Sequence, residues 1–179
     1  MYKRQTLQRL DASSLLWRLH LMGVDVGQRW NALADAWQRD EAAAGHYAFN
    51  DMHAMMALAA SGRIAQAEAL AQRTARRAEA SGGSNGGMHR EVGAPLMQGL
   101  LDFARGRHEA AARTLYAVRP VAQRFGGSHA QRDVIDQTVL ACAAREPQCA
   151  WARALLDERM LAKPVTPLTR YWSARLSSR

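Results

Sequence analysis

The residues best suited to chemistry lie in the segment HYAFNDMH, from His46 to His53. On a helix, His46, Asn50 and His53 are spaced i, i+4 and i+7 and share one face, whereas Asp51 lies further round. Imidazoles and an amide on one face can bind a metal ion or a polar ligand. Two histidines and an amide make an incomplete metal site, so a carboxylate such as Asp133 would have to complete it. The alternative is that these polar groups hydrogen-bond between neighbouring helices and fix their packing.

A second polar segment follows two glycines and places Ser128, His129 and Asp133 within six residues. A hydrolytic Ser-His-Asp site needs its members joined in one hydrogen-bonded chain, but the side chains of adjacent Ser128 and His129 diverge. Ser128 and Gln131 instead match a capping box, in which each side chain accepts a hydrogen bond from the other residue's backbone N–H. The pattern predicts a helix start, and Ser128→Ala is expected to lower the free energy of unfolding by about 1 kcal/mol.

Arg132 has two alternative roles in the first turn of this predicted helix. Its guanidinium can bind a carboxylate through two hydrogen bonds, or it can pair with Asp136 one turn later. Asp133 faces the positive end of the helix dipole. The other histidines are predicted to be surface residues; they are His20, His89 and His108.

The composition favours helices over sheets. Hydrophobic residues make up 48% of the 179 residues and aromatic residues only 7%, while alanine is abundant and strand formers are sparse. This length is enough for one substantial core or a short stack of repeats. Methionine and tryptophan recur at helical spacing, which predicts that they belong to this core and do not form a cofactor site.

The formal net charge of +8 raises the question of nucleic acid binding. The arginines are scattered, however, and many of them adjoin acidic residues. No alternation of aromatic and basic residues offers a platform for stacking bases. We therefore expect a solvated arginine-rich surface and no nucleic-acid partner, with an anionic partner as the alternative.

The cysteines and the hydropathy pattern predict a cytoplasmic protein. Cys142 and Cys149 are seven residues apart, which matches neither a Cys-x-x-Cys pair nor a zinc site. Two small buried thiols fit a reducing compartment. No apolar run is long enough to cross a membrane and no signal peptide opens the sequence, so no membrane partner is expected. No metal site and no cofactor is assigned.

The first five residues, MYKRQ, read like a translation, from a GTG start, of the end sequence used in transposase-based sequencing libraries. We therefore expect residues 1–5 to be a non-native assembly scar and residues 6–179 to form one helical-repeat domain, truncated on its N-terminal side. In that case the first hairpin exposes an apolar flank that further repeats cover in the natural protein.

Two segments align without gaps and indicate a repeat: AASGRIAQA, residues 59–67, and FARGRHEAA, residues 103–111. Each has an alanine two residues before a Gly-Arg pair and another five residues after the glycine. A glycine turn followed by small residues where two helices cross is typical of a tetratricopeptide-type hairpin. Gly62 and Gly106 are 44 residues apart, against about 34 in the usual repeat. The excess falls in a predicted Gly/Ser loop, residues 81–90.

Weaker patterns predict a hairpin on each side of these two. In the first, an apolar face of Leu15, Leu19 and Met22 precedes a turn at Gly23 and a helix with Trp30 and Trp37. In the last, two helices lie on either side of a turn at Pro147, and the second of them ends at Lys163-Pro164. Thr166-Pro167 then begins a short terminal helix. The predicted fold class is all-α: a right-handed α-solenoid of TPR-like hairpins, with about eight helices plus a short C-terminal helix.

Seven segments, in order, resemble the C-terminal part of the tetratricopeptide repeat protein 38 family. They are SLLWRL (14–19), GVDVGQRW (23–30), FNDMH (49–53), EVGAPL (91–96), GGSHAQRDV (126–134), ARALLDER (152–159) and KPVTPL (163–168). Members of that family extend further at the N-terminus, in agreement with the inferred truncation. The family has no established biochemical activity, and the resemblance implies an intracellular interaction scaffold.

Two functions follow as hypotheses. In the first, a noncatalytic repeat module holds a protein or peptide segment on its concave face, with Asn50, His53 and Arg132 as polar anchors. In the second, an enzyme or a small-molecule or metal binder has one pocket, formed by His46/Asn50/His53 and Gln131/Arg132/Asp133. The sequence favours the first. Homodimerisation through the last hairpin is a third possibility.

Overall fold

The computed structural model describes residues 2–81, 83–146, 150–162 and 166–177, and these residues form helices and turns without any strand. The α-helices are α1 (Tyr2–Leu21), α2 (Arg29–Gln38), α3 (Ala48–Ala60), α4 (Ile64–Ala80), α5 (Ser84–Met88), α6 (Ala94–Ala104), α7 (His108–Val118), α8 (His129–Ala143), α9 (Ala150–Ala162) and α10 (Pro167–Ser177). Short 3₁₀ segments span Glu41–Ala43 and Arg119–Phe125, and a π-helix spans His89–Gly93. The predicted all-α class is confirmed. None of the described helices is both long enough and apolar enough to cross a bilayer.

Three successive hairpins each begin with a helix that ends at a glycine with a positive φ. These glycines are Gly23, Gly62 and Gly106. After α3, the Gly62 N–H donates to Ala59 O at 3.1 Å and the Arg63 N–H donates to Leu58 O at 2.9 Å. The corresponding pairs of hydrogen bonds form at the other two glycines. This is the Schellman motif, which needs a left-handed residue after the helix. The predicted turns are confirmed at all three positions.

Helices α6 and α7 approach closely at Gly99. A Cβ atom at this position would lie 2.6 Å from Cγ and Cδ2 of Leu115, well inside van der Waals contact. The absence of a side chain at residue 99 therefore sets the distance between the two helices.

The core is continuous and rich in methionine and tryptophan. The fully or almost fully buried members of these two types are Trp17, Trp30, Trp37, Trp172, Met52, Met55, Met56 and Met97. This confirms the predicted core role at these eight positions, whereas Met160 of α9 is 39% exposed. The predicted apolar face of α1 was wrong at Leu15, which is 58% exposed. Trp17 and Leu21 occupy the buried face of α1 instead.

Helix α3 lies at the centre of the packing and contacts α1, α2, α4 and α6. Helix α1 also packs on α8, and the Trp17 indole N–H donates to Thr138 Oγ1 at 2.9 Å. The Tyr171 hydroxyl of α10 donates to the backbone carbonyl of Met22 at 3.2 Å. A linear stack, in which each hairpin contacts only its neighbours, would lack these contacts. The first hairpin therefore closes onto α8 and α10.

Two predictions about connections need correction. The predicted Gly/Ser loop holds the short helix α5, and the π-helix follows directly. His89, predicted at the surface, is only 3% exposed, because the π-helix that it begins packs against α3, α4 and α6.

At the C-terminal end, Pro167 begins α10, and Thr166 Oγ1 accepts a hydrogen bond from the Thr169 N–H, as expected of a cap. The turns predicted at Pro147 and Lys163-Pro164, and Cys149, lie outside the described residues.

Candidate functional site

His46 does not belong to the helix that carries the other predicted site residues. Gly45 has a φ of 82°, and α3 begins at Ala48 after Tyr47, which has extended backbone angles. His46 is therefore exposed in the connection before α3. The predicted His46/Asn50/His53 face was wrong, because it required an uninterrupted helix from residue 46.

His53 is completely buried and both of its ring nitrogens are hydrogen-bonded. Nδ1 lies 2.7 Å from the carbonyl oxygen of Phe49, and Nε2 lies 2.9 Å from Oγ of Ser14 in α1. Burial lowers the pKa of His53 to about 4, and the nearby Arg18 adds to this effect. The imidazole is therefore neutral at pH 7, and it joins α1 to α3. Ser14 was not among the predicted site residues.

Asp51 lies on a different side of α3 and is 3% exposed. Its carboxylate oxygens accept hydrogen bonds from the Gly45 N–H at 3.0 and 3.2 Å. Burial raises the pKa of Asp51 to about 6, although the Gly45 hydrogen bonds and the charges of Arg73 and Arg77 act in the opposite direction. Asp51 thus holds the turn before α3 in place. It also lines a hollow in the protein surface, called the first hollow.

The first hollow has a volume of about 650 Å³ and opens to solvent. Its walls come from α1, α2, the connection before α3, α3, α4 and the start of α8, and they are mainly apolar. The apolar lining residues are Leu7, Leu10, Trp37, Ala43, Ala44, Tyr47, Phe49, Ala54, Leu58, Ala69 and Leu70. Leu7 and Tyr47 are 58% and 54% exposed, although both are large and apolar. An accessible apolar concavity of this size is typical of a binding site.

Four carboxamide side chains line this hollow from four different helices: Gln38 in α2, Asn50 in α3, Gln66 in α4 and Gln131 in α8. The Gln38 Oε1 accepts a hydrogen bond from the Arg63 guanidinium at 2.7 Å, and its amide nitrogen has no partner in the described ranges. The side chains of Asn50 and Gln66 have no hydrogen bond to any residue of the described ranges. Gln131 uses only its Oε1, which accepts from the Ser128 N–H at 2.8 Å. Each carboxamide therefore presents unused hydrogen-bonding atoms beside the apolar walls.

The capping box at the start of α8 is present as predicted. The Gln131 N–H donates to Ser128 Oγ at 3.2 Å, which completes the reciprocal pair of hydrogen bonds. Both residues have this structural role, and the cap also fixes the Gln131 side chain against the first hollow. The nucleophile alternative for Ser128 has no support from this geometry.

Arg132 and Asp133 do not face the first hollow. Arg132 donates hydrogen bonds to the carbonyl oxygens of Gly126 and Gly127, so it closes the entry to α8. The predicted alternative pairing with Asp136 was wrong. Asp136 pairs with Arg119 at 2.6 Å and with Arg159 at 3.2 Å, and Arg159 also pairs with Asp133. These charges join α8 to α9 and to the segment before α8.

A second hollow, of about 1360 Å³, lies further along α1. It is lined by one face of α1 with Asp11, Ser14, Leu15 and Arg18, by Met22 directly after α1, and by parts of α8, α9 and α10. Gln131 lines both hollows, and Asp133 lines only the second. The structure therefore brings Asn50, Asp51 and Gln131 to one hollow and Asp133 to another. It leaves His46 outside both, and His53 reaches the second hollow only through Ser14.

Within the described ranges, no group of three or more His, Cys, Asp and Glu side chains is arranged to hold a metal ion. His53 and Asp133 share no hydrogen bond, and the Nε2 that a metal would need is bonded to Ser14. The geometry therefore favours ligands that bind through apolar contacts and hydrogen bonds. No protein-family model matches the chain, and no solved structure matches it.

Proposed function

We propose that this chain is a helical-repeat binding module whose first hollow holds an apolar segment of a protein or peptide partner. In this proposal the hairpins are TPR-like units of a right-handed solenoid, as in the tetratricopeptide repeat protein 38 family, and the solenoid is closed by the contacts of the first hairpin with α8 and α10. The module works in the cytoplasm. The supporting observation is a solvent-accessible apolar hollow bordered by four carboxamides with unused hydrogen-bonding atoms.

The apolar walls supply the binding free energy in this proposal. Leu7 and Tyr47 stand at the rim with more than half of their surfaces in water. Covering apolar surface of this kind stabilises a complex by roughly 25 cal/mol per Å² before the costs of association. One or two large apolar side chains of the partner would fill the hollow.

The carboxamides favour a peptide over a lipid tail. A peptide main chain presents N–H donors and C=O acceptors, and each carboxamide can both donate and accept. Asn50, Gln66 and Gln131 come from three separate helices, so together they can contact main-chain groups on different sides of the occupant. An aliphatic tail would leave the unused donors and acceptors of these three side chains without hydrogen bonds, which costs free energy.

A small molecule is the second candidate, because a volume of about 650 Å³ lies within the usual range of small-molecule pockets. The sequence predicts for this alternative an enzyme pocket made by His46/Asn50/His53 and Gln131/Arg132/Asp133. Only Asn50 and Gln131 of these six border the first hollow. A ligand there would bind mainly through apolar contacts, with Asn50 and Gln131 giving it orientation.

The test is a selection of peptides from a random displayed library against the full chain, followed by calorimetric titration of the selected peptides. Leu7→Asp places a charge at the rim, and we expect it to weaken binding about tenfold or more, because a carboxylate loses hydration against an apolar partner. Asn50→Ala removes a carboxamide that has no internal partner and is expected to weaken binding by about 1 kcal/mol without loss of fold.

Leu161→Asp is the matched control, because Leu161 is 86% exposed on α9 and borders neither hollow. Peptides that bind all three variants as tightly as the original chain would contradict the proposal. Failure to select any peptide, together with saturable binding of a fatty acid that Leu7→Asp abolishes, would establish the small-molecule alternative instead.

A further inference from the structure

Ser14 and His53 form a pair that the binding function does not use. Ser14 lies in the middle of α1 and is 5% exposed, yet it lines the second hollow. Its Oγ is 2.9 Å from Nε2 of His53, within hydrogen-bond distance. A hydroxyl in contact with an imidazole at the wall of a cavity is the first requirement for a serine nucleophile.

The hydrogen bonds of His53 determine which of its ring nitrogens carries the proton. The carbonyl oxygen of Phe49 can only accept, so Nδ1 must carry the proton and donate to it at 2.7 Å. Because the ring is neutral at pH 7, Nε2 has a lone pair, and the Ser14 hydroxyl must donate to it. The Nε2 lone pair of His53 thus faces the proton of the Ser14 hydroxyl, and the Phe49 carbonyl orients the imidazole. A nucleophile–base pair requires this arrangement.

Arg18 supplies hydrogen-bond donors beside this pair. One of its guanidinium nitrogens donates to the carbonyl oxygen of Ser14 at 2.8 Å, and the other terminal nitrogen donates to the carbonyl oxygen of Ala130. These bonds use two of the five N–H groups of a guanidinium. The remaining donors, on a side chain that lines the second hollow, are available to a developing oxyanion.

The same hollow has apolar walls next to the polar pair. Leu15, Met22 and Leu168 line it, and Leu15 is the residue directly after Ser14. These side chains can accommodate an apolar acyl group while its carbonyl carbon lies near Ser14.

We propose that Ser14 is a nucleophile with His53 as its base, and that the second hollow accepts esters of apolar carboxylic acids. Ser14 Oγ bonds to the ester carbonyl carbon as its proton passes to His53 Nε2, and Arg18 stabilises the oxyanion. The bond to the alcohol then breaks, and the alcohol takes the proton from Nε2. Water adds to the acyl-serine by the same route, which releases the carboxylic acid and restores the hydroxyl.

The experiment uses diisopropyl fluorophosphate, a small probe of nucleophilic serines, with mass-spectrometric mapping of every modified serine in the folded full chain. Ser14 is expected to be modified about a hundredfold faster than the exposed Ser128 and Ser84, which is within the usual contribution of a general base. His53→Gln keeps a hydrogen-bonding group near Ser14 without a base, and it is expected to slow modification of Ser14 about a hundredfold.

Ser84→Ala is the matched control and is expected to leave the modification of Ser14 unchanged, since Ser84 lies on α5 away from the second hollow. Circular dichroism checks that each variant is folded. The mapping of the unaltered chain needs no variant, so it decides the matter even if His53→Gln unfolds. Modification of Ser14 no faster than that of Ser128, or an equal rate in a folded His53→Gln variant, would overturn the proposal and leave the pair as a link between α1 and α3.

Discussion

Trp17 and Thr138 are 121 residues apart in sequence, yet the buried Trp17 indole N–H donates a hydrogen bond to Thr138 Oγ1 at 2.9 Å. The threonine hydroxyl in turn donates to the Val134 carbonyl at 2.6 Å, so its orientation is fixed. This bond connects the first hairpin to α8 and helps to close the structure. Both hollows are built against α1, so their shape depends on this closure.

Thr138→Val keeps the shape of the side chain but leaves the Trp17 N–H buried without a partner. We expect the free energy of unfolding, measured in urea, to fall by about 1–3 kcal/mol. Thr74→Val is the control, because Thr74 is equally buried but bonds only to Ala71 within its own helix. Equal losses in the two variants would show that the link from α1 to α8 adds nothing to stability.

Gly99 is expected to be essential for the spacing of α6 and α7. Gly99→Ala places a methyl group 2.6 Å from Leu115 Cγ and Cδ2, and overpacking of this kind costs about 1–3 kcal/mol. In contrast, Gly87→Ala in α5 meets no atom within 4 Å and is expected to stabilise the chain by about 0.5–1 kcal/mol through helix propensity. Thermal unfolding of both variants checks the prediction, which fails if Gly99→Ala unfolds at the same temperature as the original chain.

The parts of the fold that the sequence predicts are those set by neighbouring residues. The glycine turns and the Ser128/Gln131 box depend on hydrogen bonds that span at most five residues, so the pattern indicates them directly. The start of α3 has no such signal, because Tyr47 makes no side-chain cap. The one local sign of a break is Gly45, whose positive φ separates His46 from α3.

The candidate sites depend on contacts between distant segments. Ser14 and His53 are separated by 39 residues, and Ser14 lies in the apolar run SLLW, where no spacing marks it as reactive. The first hollow likewise needs five helices and a connection to form its walls. The hydrophobic periodicity of a helix predicts which of its faces is buried, but it does not predict which other helix that face packs against.

Two buried groups, His53 and Asp51, are expected to give opposite pH dependences of stability. His53 has a pKa near 4 when folded and about 6.5 when unfolded, so the unfolded state binds more protons between these values. Its contribution, about 3 kcal/mol, is complete above pH 6.5 and is lost as the pH falls to 4. Asp51 has a pKa near 6 when folded and 3.8 when unfolded. The folded state binds more protons there, so stability rises by a similar amount as the pH falls from 6 to 3.8.

The two effects largely cancel between pH 4 and 6 in the original chain. Asp51→Asn removes one of them, so the variant is expected to lose about 3 kcal/mol more than the original chain as the pH falls from 6 to 4. Urea unfolding at half-unit pH intervals measures this difference, in which the contributions of the other histidines cancel. Parallel curves for the two proteins would show that Asp51 does not titrate in this range.

His89 is a destabilising residue in the core. It is 3% exposed at the start of the π-helix, and neither ring nitrogen has a hydrogen-bond partner in the described part of the chain. An unpaired buried polar group costs about 1–3 kcal/mol, so His89→Leu is expected to raise the free energy of unfolding by about 1–2 kcal/mol. His46→Leu, at an exposed position, is the control and should change stability by less than about 0.5 kcal/mol. Urea unfolding at pH 7 measures both, and a loss of stability in His89→Leu would contradict the prediction.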